Sequence, residues 1–141
     1  MKLLNFSVAV LSVLVSSCSG KVAVPPASPS EEDAKAAVQR FHQGLADADS
    51  AVLRMVASNA VLLSQGRIES ARELVLSHGP TLGAVHGATG VWEIREVRII
   101  DGVAYALTQG KSANGPVPAY GLTVWRYAQR WQLVAGHWSH L

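Results

Sequence analysis

Residues 91–110 read VWEIREVRIIDGVAYALTQG, and the architecture follows from how this stretch folds back on itself. Two β-branched, apolar runs flank Asp101-Gly102, a dipeptide suited to a two-residue type I′ turn because both central positions there take positive φ. The pattern predicts a long hairpin. In its first strand the alternation slips near Arg95-Glu96, where Trp92 and Ile94 give way to Val97 and Ile99. One extra residue, a β-bulge, produces such a slip and bends the sheet.

Downstream, KSANGPVPA (111–119) reads as a loop and YGLTVWRY (120–127) as a strand. Ala128-Gln129-Arg130 is then a tight connection, and WQLVAGHWSH (131–140) the final strand. Upstream the period changes from two to helical. Ser30 with Asp33 forms a capping-box pattern, and Ala34, Val38, Phe41, His42 and Leu45 follow on one helical face. Asp49 is placed to cap a second short helix through Met55. NAVLLSQGRIES (59–70) has two short apolar runs around Gln65-Gly66, a small hairpin. Ser70 and Glu73 make a second capping box. It opens a third helix that carries Ala71, Leu74, Val75 and His78 on one face and ends near Gly79-Pro80. Three helices interleaved with a hairpin, then four antiparallel strands, specify an α+β fold with the helices on one face of a curved antiparallel sheet.

The chain of 141 residues opens with MKLLNFSVAVLSVLVSSCSG. A basic Lys2, a short apolar run and small residues before Cys18 have the form of a secretory signal, too short for a span of roughly 20 apolar residues. Residues 1–17 are therefore set apart from the fold. Val15-Ser16-Ser17-Cys18 resembles the bacterial lipobox, in which the cysteine becomes the acylated first residue, and Ser19 after it resembles the sorting pattern of outer-membrane lipoproteins. Residues 18–30, rich in Pro and Ser, read as a tether, leaving 31–141 as one domain. A single cysteine can form no internal disulfide. Removing residues 1–17 takes away only Lys2, so the formal charge falls from +2 to +1. Along the chain the basic residues are scattered, which argues against nucleic acid and leaves the acyl anchor as the expected membrane contact. No repeat, metal-finger spacing, nucleotide loop or GxSxG elbow occurs.

With VQRFHQGLADAD (38–49) in the first helix, ASNAVLLSQGRIES (57–70) next and WQLVAGHWSH last, the chain resembles the nuclear-transport-factor-2-like superfamily in its SnoaL-like, ketosteroid-isomerase-like branch. The resemblance covers about residues 31–140 and implies a cone: a strongly bent sheet closed by the helices around a pocket. Members include isomerases, cyclases, small-molecule binders and assembly modules. The outer sheet face often forms a homodimer. By the match of these motifs, the position of the steroid isomerases' oxyanion-donating Tyr is Phe41, and that of their catalytic Asp falls near Ser64. Neither residue supplies that chemistry: phenylalanine has no hydroxyl, and an unassisted serine is no base at neutral pH.

In such a cone the inner faces of the first helix, third helix and last strand border the pocket, which places Phe41, His42, Leu74, His78, Leu133 and His137 around it. His137 is in phase with Trp131, Leu133 and Ala135 and is expected to face inward, with His140 outward. Three readings of the histidines follow. They line a pocket for a small, partly apolar ligand with no cofactor; or His78 or His137 acts as general base with Glu69 orienting it; or His42, His78 and His137 together hold Zn²⁺ or Cu²⁺. Trp92, Trp125, Trp131 and Trp138 serve either as stacking walls or as core between sheet and helices.

Overall fold

The computed structural model describes residues 28–64, 66–83, 91–112 and 114–140. The signal segment and Cys18 lie outside the described residues. Helix α1 (Glu31–Ala46) leads into a 3-10 helix (Ser50–Met55), strands β1 (Val56–Ser64) and β2 (Arg67–Ser70), helix α2 (Ala71–Gly83), and strands β3 (Val91–Ile100), β4 (Val103–Ser112), β5 (Gly115–Tyr127) and β6 (Trp131–His140).

Both ends of the first helical segment are fixed locally. The Ser30 hydroxyl accepts from the Asp33 N–H at 3.1 Å while the Asp33 carboxylate accepts from the Ser30 backbone N–H at 3.4 Å, the reciprocal capping box, and also from the Ser30 hydroxyl at 2.7 Å. These bonds hold the Asp33 carboxyl below its ordinary range. The Asp49 side chain accepts from the Ala51 N–H at 2.8 Å and so starts the 3-10 helix. Helix α1 then buries Ala34, Ala37, Val38, Phe41, His42 and Leu45. Phe41 meets Trp125 of β5 edge to face, ring centroids 5.4 Å apart, and both are fully buried at the centre of the core.

The six described strands form one sheet in the order β2-β1-β6-β5-β4-β3. Neighbours are antiparallel except β1 and β6, which run parallel, so the sheet is mixed. Asp101 and Gly102 both take positive φ (50° and 77°) in the β3–β4 turn, and the pairing steps from Ile94↔Thr108 to Glu96↔Leu107, leaving Arg95 as the predicted bulge. Two segments differ from their sequence reading. Helix α2 continues past Gly79-Pro80 to Gly83: proline's fixed φ is helical, so the missing N–H and the crowding of the carbonyl four residues earlier weaken that turn without ending the helix. Residues 111–119 are largely strand: β4 reaches Ser112 and β5 begins at Gly115, with Lys111↔Pro116 paired. Strand β6 ends its pairing at Ala119↔His140, so Pro116 and Pro118 lie beyond it, where β5 has an open edge on that side that tolerates a missing N–H.

A second bulge, with no signal in the sequence, controls β6. Pairing with β5 goes from Trp125↔Leu133 to Val124↔Ala135, leaving Val134 unpaired. Beyond it every side chain changes face. Leu62, Gly136, Thr123 and Ala106 then share the inner face under the helices. Leu63, His137, Leu122 and Leu107 form the neighbouring row on the outer face.

Candidate functional site

Four residues after Val38, His42 points from α1 at the inner face of the sheet and is only 6% exposed. Aromatic rings surround it. Its centroid lies 5.7 Å from Trp92 at the start of β3, 6.2 Å from Trp138 near the end of β6, and 5.8 Å from the core ring of Phe41. Among the described residues neither ring nitrogen has a hydrogen-bond partner, and the indole Nε1–H of Trp138 is likewise buried and unpartnered. Burial alone pushes the His42 pKa down from 6.5 to about 4, so the ring is neutral at neutral pH. One nitrogen is then a donor and the other an acceptor.

The floor beneath Trp138 is built for close approach. A Cβ at Gly121 would fall 2.6 Å from Trp138 Cδ1 and also against the Thr108 hydroxyl, so only glycine lets the indole lie on the strand. Thr108 and Thr123 are buried but satisfied: Thr108 donates to the Gly121 carbonyl at 3.4 Å, and Thr123 accepts from Trp125 Nε1 at 2.8 Å. Among the described residues the buried side-chain polar atoms left without a partner are those of His42, Trp138 and Trp131, of which His42 and Trp138 have their rings side by side. A cleft of about 380 Å³, lined by Gln39, Arg40, His42, Gln43, Ala46, Val91 and Trp92, opens to solvent between α1 and β3. Such a volume suits a small organic molecule.

The sequence-predicted residues are divided by this geometry. His42 borders the cleft. Phe41 and Leu133 are fully buried core, and Leu74 packs against that core from α2. His78 lies on α2 with its side chain outside the described residues, as does that of His140. His137 departs from its expected inward position: the bulge at Val134 turns it to the outer face, where its Nδ1 donates to the Leu63 carbonyl at 3.0 Å. Glu69 pairs with Leu62, in the phase opposite to Leu63 and His137, so it cannot orient that ring. A metal shared by His42, His78 and His137 is excluded for the same reason, because His42 and His137 stand on opposite sides of the sheet. Among the described residues no group of three His, Cys, Asp or Glu side chains converges. Ser64 closes the β1–β2 turn opposite Arg67. The tryptophans also divide: Trp125 and Trp131 fill core, Trp92 lines the cleft, and Trp138, buried at the edge of the core, sets its ring edge-on to His42. The sequence offers Trp138 as a stacking wall or as core; its indole N–H beside His42 has no sequence signal, because the small residues Ala135 and Gly136 hide the phase of the strand that carries it.

No family model and no curated protein sequence matches the chain. Solved structures do. A ketosteroid-isomerase-like protein of Shewanella frigidimarina is similar over 76% of this chain and 94% of its own, with TM-score 0.62 and 22% identity. An NTF2-like protein of unknown function from Pseudomonas putida is similar over 79% and 86%, with TM-score 0.60 and 16% identity. A polyketide-cyclase-like protein of Sinorhizobium meliloti is similar over 79% and 100%, with TM-score 0.55 and 14% identity.

Proposed function

From the nuclear-transport-factor-2-like fold of this chain, we propose that it binds a small, partly apolar molecule in the cleft beside His42. The observation that carries this reading is the pair of orphaned polar groups, the His42 imidazole and the Trp138 indole N–H, inside an otherwise aromatic niche. Each unsatisfied buried group costs about 1–3 kcal/mol, and a ligand hydroxyl or carbonyl that reaches the imidazole from the cleft recovers part of that cost. Trp92 supplies an aromatic wall beside them. At His42 binding is favoured over acid–base work, because an imidazole with a pKa of about 4 is a weak base at neutral pH.

The ligand-binding domain belongs, in this reading, to a lipoprotein anchored through Cys18 and facing the periplasm from the outer membrane. Its outer sheet face, where Leu63, Leu107, Leu122 and Tyr120 are each more than 40% exposed, is the surface of a homodimer. Labelled palmitate incorporated into the chain and lost in Cys18→Ser tests the anchor.

Native mass spectrometry of the protein purified from cell envelopes tests the pocket. A small organic adduct that disappears in His42→Phe, with the variant still folded, is the expected result. An adduct unchanged by that substitution, or none in either protein after exposure to an envelope extract, removes the reading.

A further inference from the structure

On the other side of the molecule, the arginines that the sequence disperses come together. A cleft of about 400 Å³ is lined by Arg54 of the 3-10 helix, Arg72 of α2, Arg126 at the end of β5 and Arg130 in the β5–β6 turn, with Asn59 and Gln132 among its polar walls. Half of the eight arginines thus border one cavity, and no carboxylate lines it. It shares no residue with the His42 cleft.

The backbone explains how the cavity forms. Parallel pairing between β1 and β6 jumps from Val56↔Leu133 to Val61↔Ala135, so residues 57–60 of β1 face only Val134 and the two strands part. Arg72 closes the base of the notch by donating through Nη1 to the carbonyls of Leu53 at 2.9 Å and Val56 at 3.3 Å, which ties α2 to the entry of β1. Arg54, Arg126 and Arg130 are exposed. Among the described residues the ion pairs are Arg95–Glu93 and Arg98–Glu96, both on β3, so the cleft arginines have no anionic partner among them.

Guanidinium groups converging on one cavity repel one another, and an anion placed among them turns that repulsion into attraction. Their planar forks match a tetrahedral oxyanion, which accepts two parallel N–H bonds from each. The amides of Asn59 and Gln132 add neutral donors. We propose that this cleft binds a phosphate group, carried either by a soluble phosphate ester or by a lipid headgroup.

Inorganic pyrophosphate titrated calorimetrically into the full chain is the test. The expected result is saturable binding of one equivalent, weakened about tenfold or more in Arg126→Gln/Arg130→Gln and changed less than about twofold in Arg67→Gln, which removes a charge elsewhere. If the double variant fails to fold, Arg54→Gln alone is expected to weaken binding by several-fold. No saturation at about 10 mM, or equal weakening in Arg67→Gln, overturns the proposal. Co-sedimentation then separates the sources. Capture by phosphatidylglycerol vesicles, reversed by pyrophosphate and absent with phosphatidylcholine, assigns the headgroup. Pyrophosphate binding without vesicle capture assigns a soluble ester.

Discussion

Leu62, Thr123 and Ala106 lie in one row across the inner face of the sheet and are buried, while one step along each strand Leu63, Leu122 and Leu107 lie in a row that is 41–45% exposed. The same contrast separates two histidines. His42, against the inner face, has lost water without gaining a hydrogen bond; His137, on the outer face, keeps solvent and a carbonyl partner. Residue type does not distinguish these positions. Strand phase does, and phase is set by single unpaired residues at Arg95 and Val134.

The sharpest way to break this comparison is to cut matched side chains from the two faces. Trp125→Ala leaves a cavity between the sheet and Phe41 and is expected to cost about 3–5 kcal/mol in urea denaturation, enough to unfold a marginal domain. A cost below about 1 kcal/mol would mean that the inner face is not the core.

The buried histidine makes a second difference, in pH. The His42 pKa is about 4 in the folded protein against 6.5 for the free side chain. Between those values the unfolded state binds more protons, so stability is full above about pH 6.5 and falls as the pH drops toward 4. Complete expression of the shift amounts to roughly 3 kcal/mol. Urea midpoints measured at pH 7 and pH 5 should show this slope in the parent chain and a shallower one in His42→Phe. Parallel slopes would show that the ring is hydrated in solution.

The smallest effect belongs to the outer row. Leu122→Asp is expected to change the unfolding free energy of the isolated domain by only about 0.5 kcal/mol, yet to convert a dimer to monomer by sedimentation velocity. A dimer that survives the substitution places the interface elsewhere.

Much of the architecture can be read in the sequence because its determinants are local. Asp101-Gly102, the Arg95 slip, and the capping residues Ser30, Asp33 and Asp49 act within a few positions of themselves. The candidate site was only partly readable. His42 is found by helical spacing from Val38, but its partner Trp138 depends on a bulge at Val134, and Trp131, Leu133, Ala135 and His137 alternate without a break that would reveal it. Small Ala135 and Gly136 fit either face. The arginine cleft depends on where β1 and β6 part, a tertiary event between segments about 70 residues apart.

Strand β6 occupies the middle of the sheet, between β1 and β5, although it is made after all the other elements. A nascent chain that lacks residues 131–140 leaves β1 and β5 as two further open edges, with Leu62 and Thr123 each paired on one side only. Contacts so distant in sequence form slowly, so the domain cannot close stepwise during synthesis. Until the last strand is available, β1–β2 and β3–β4–β5 remain two separate pieces of sheet with nothing to join them.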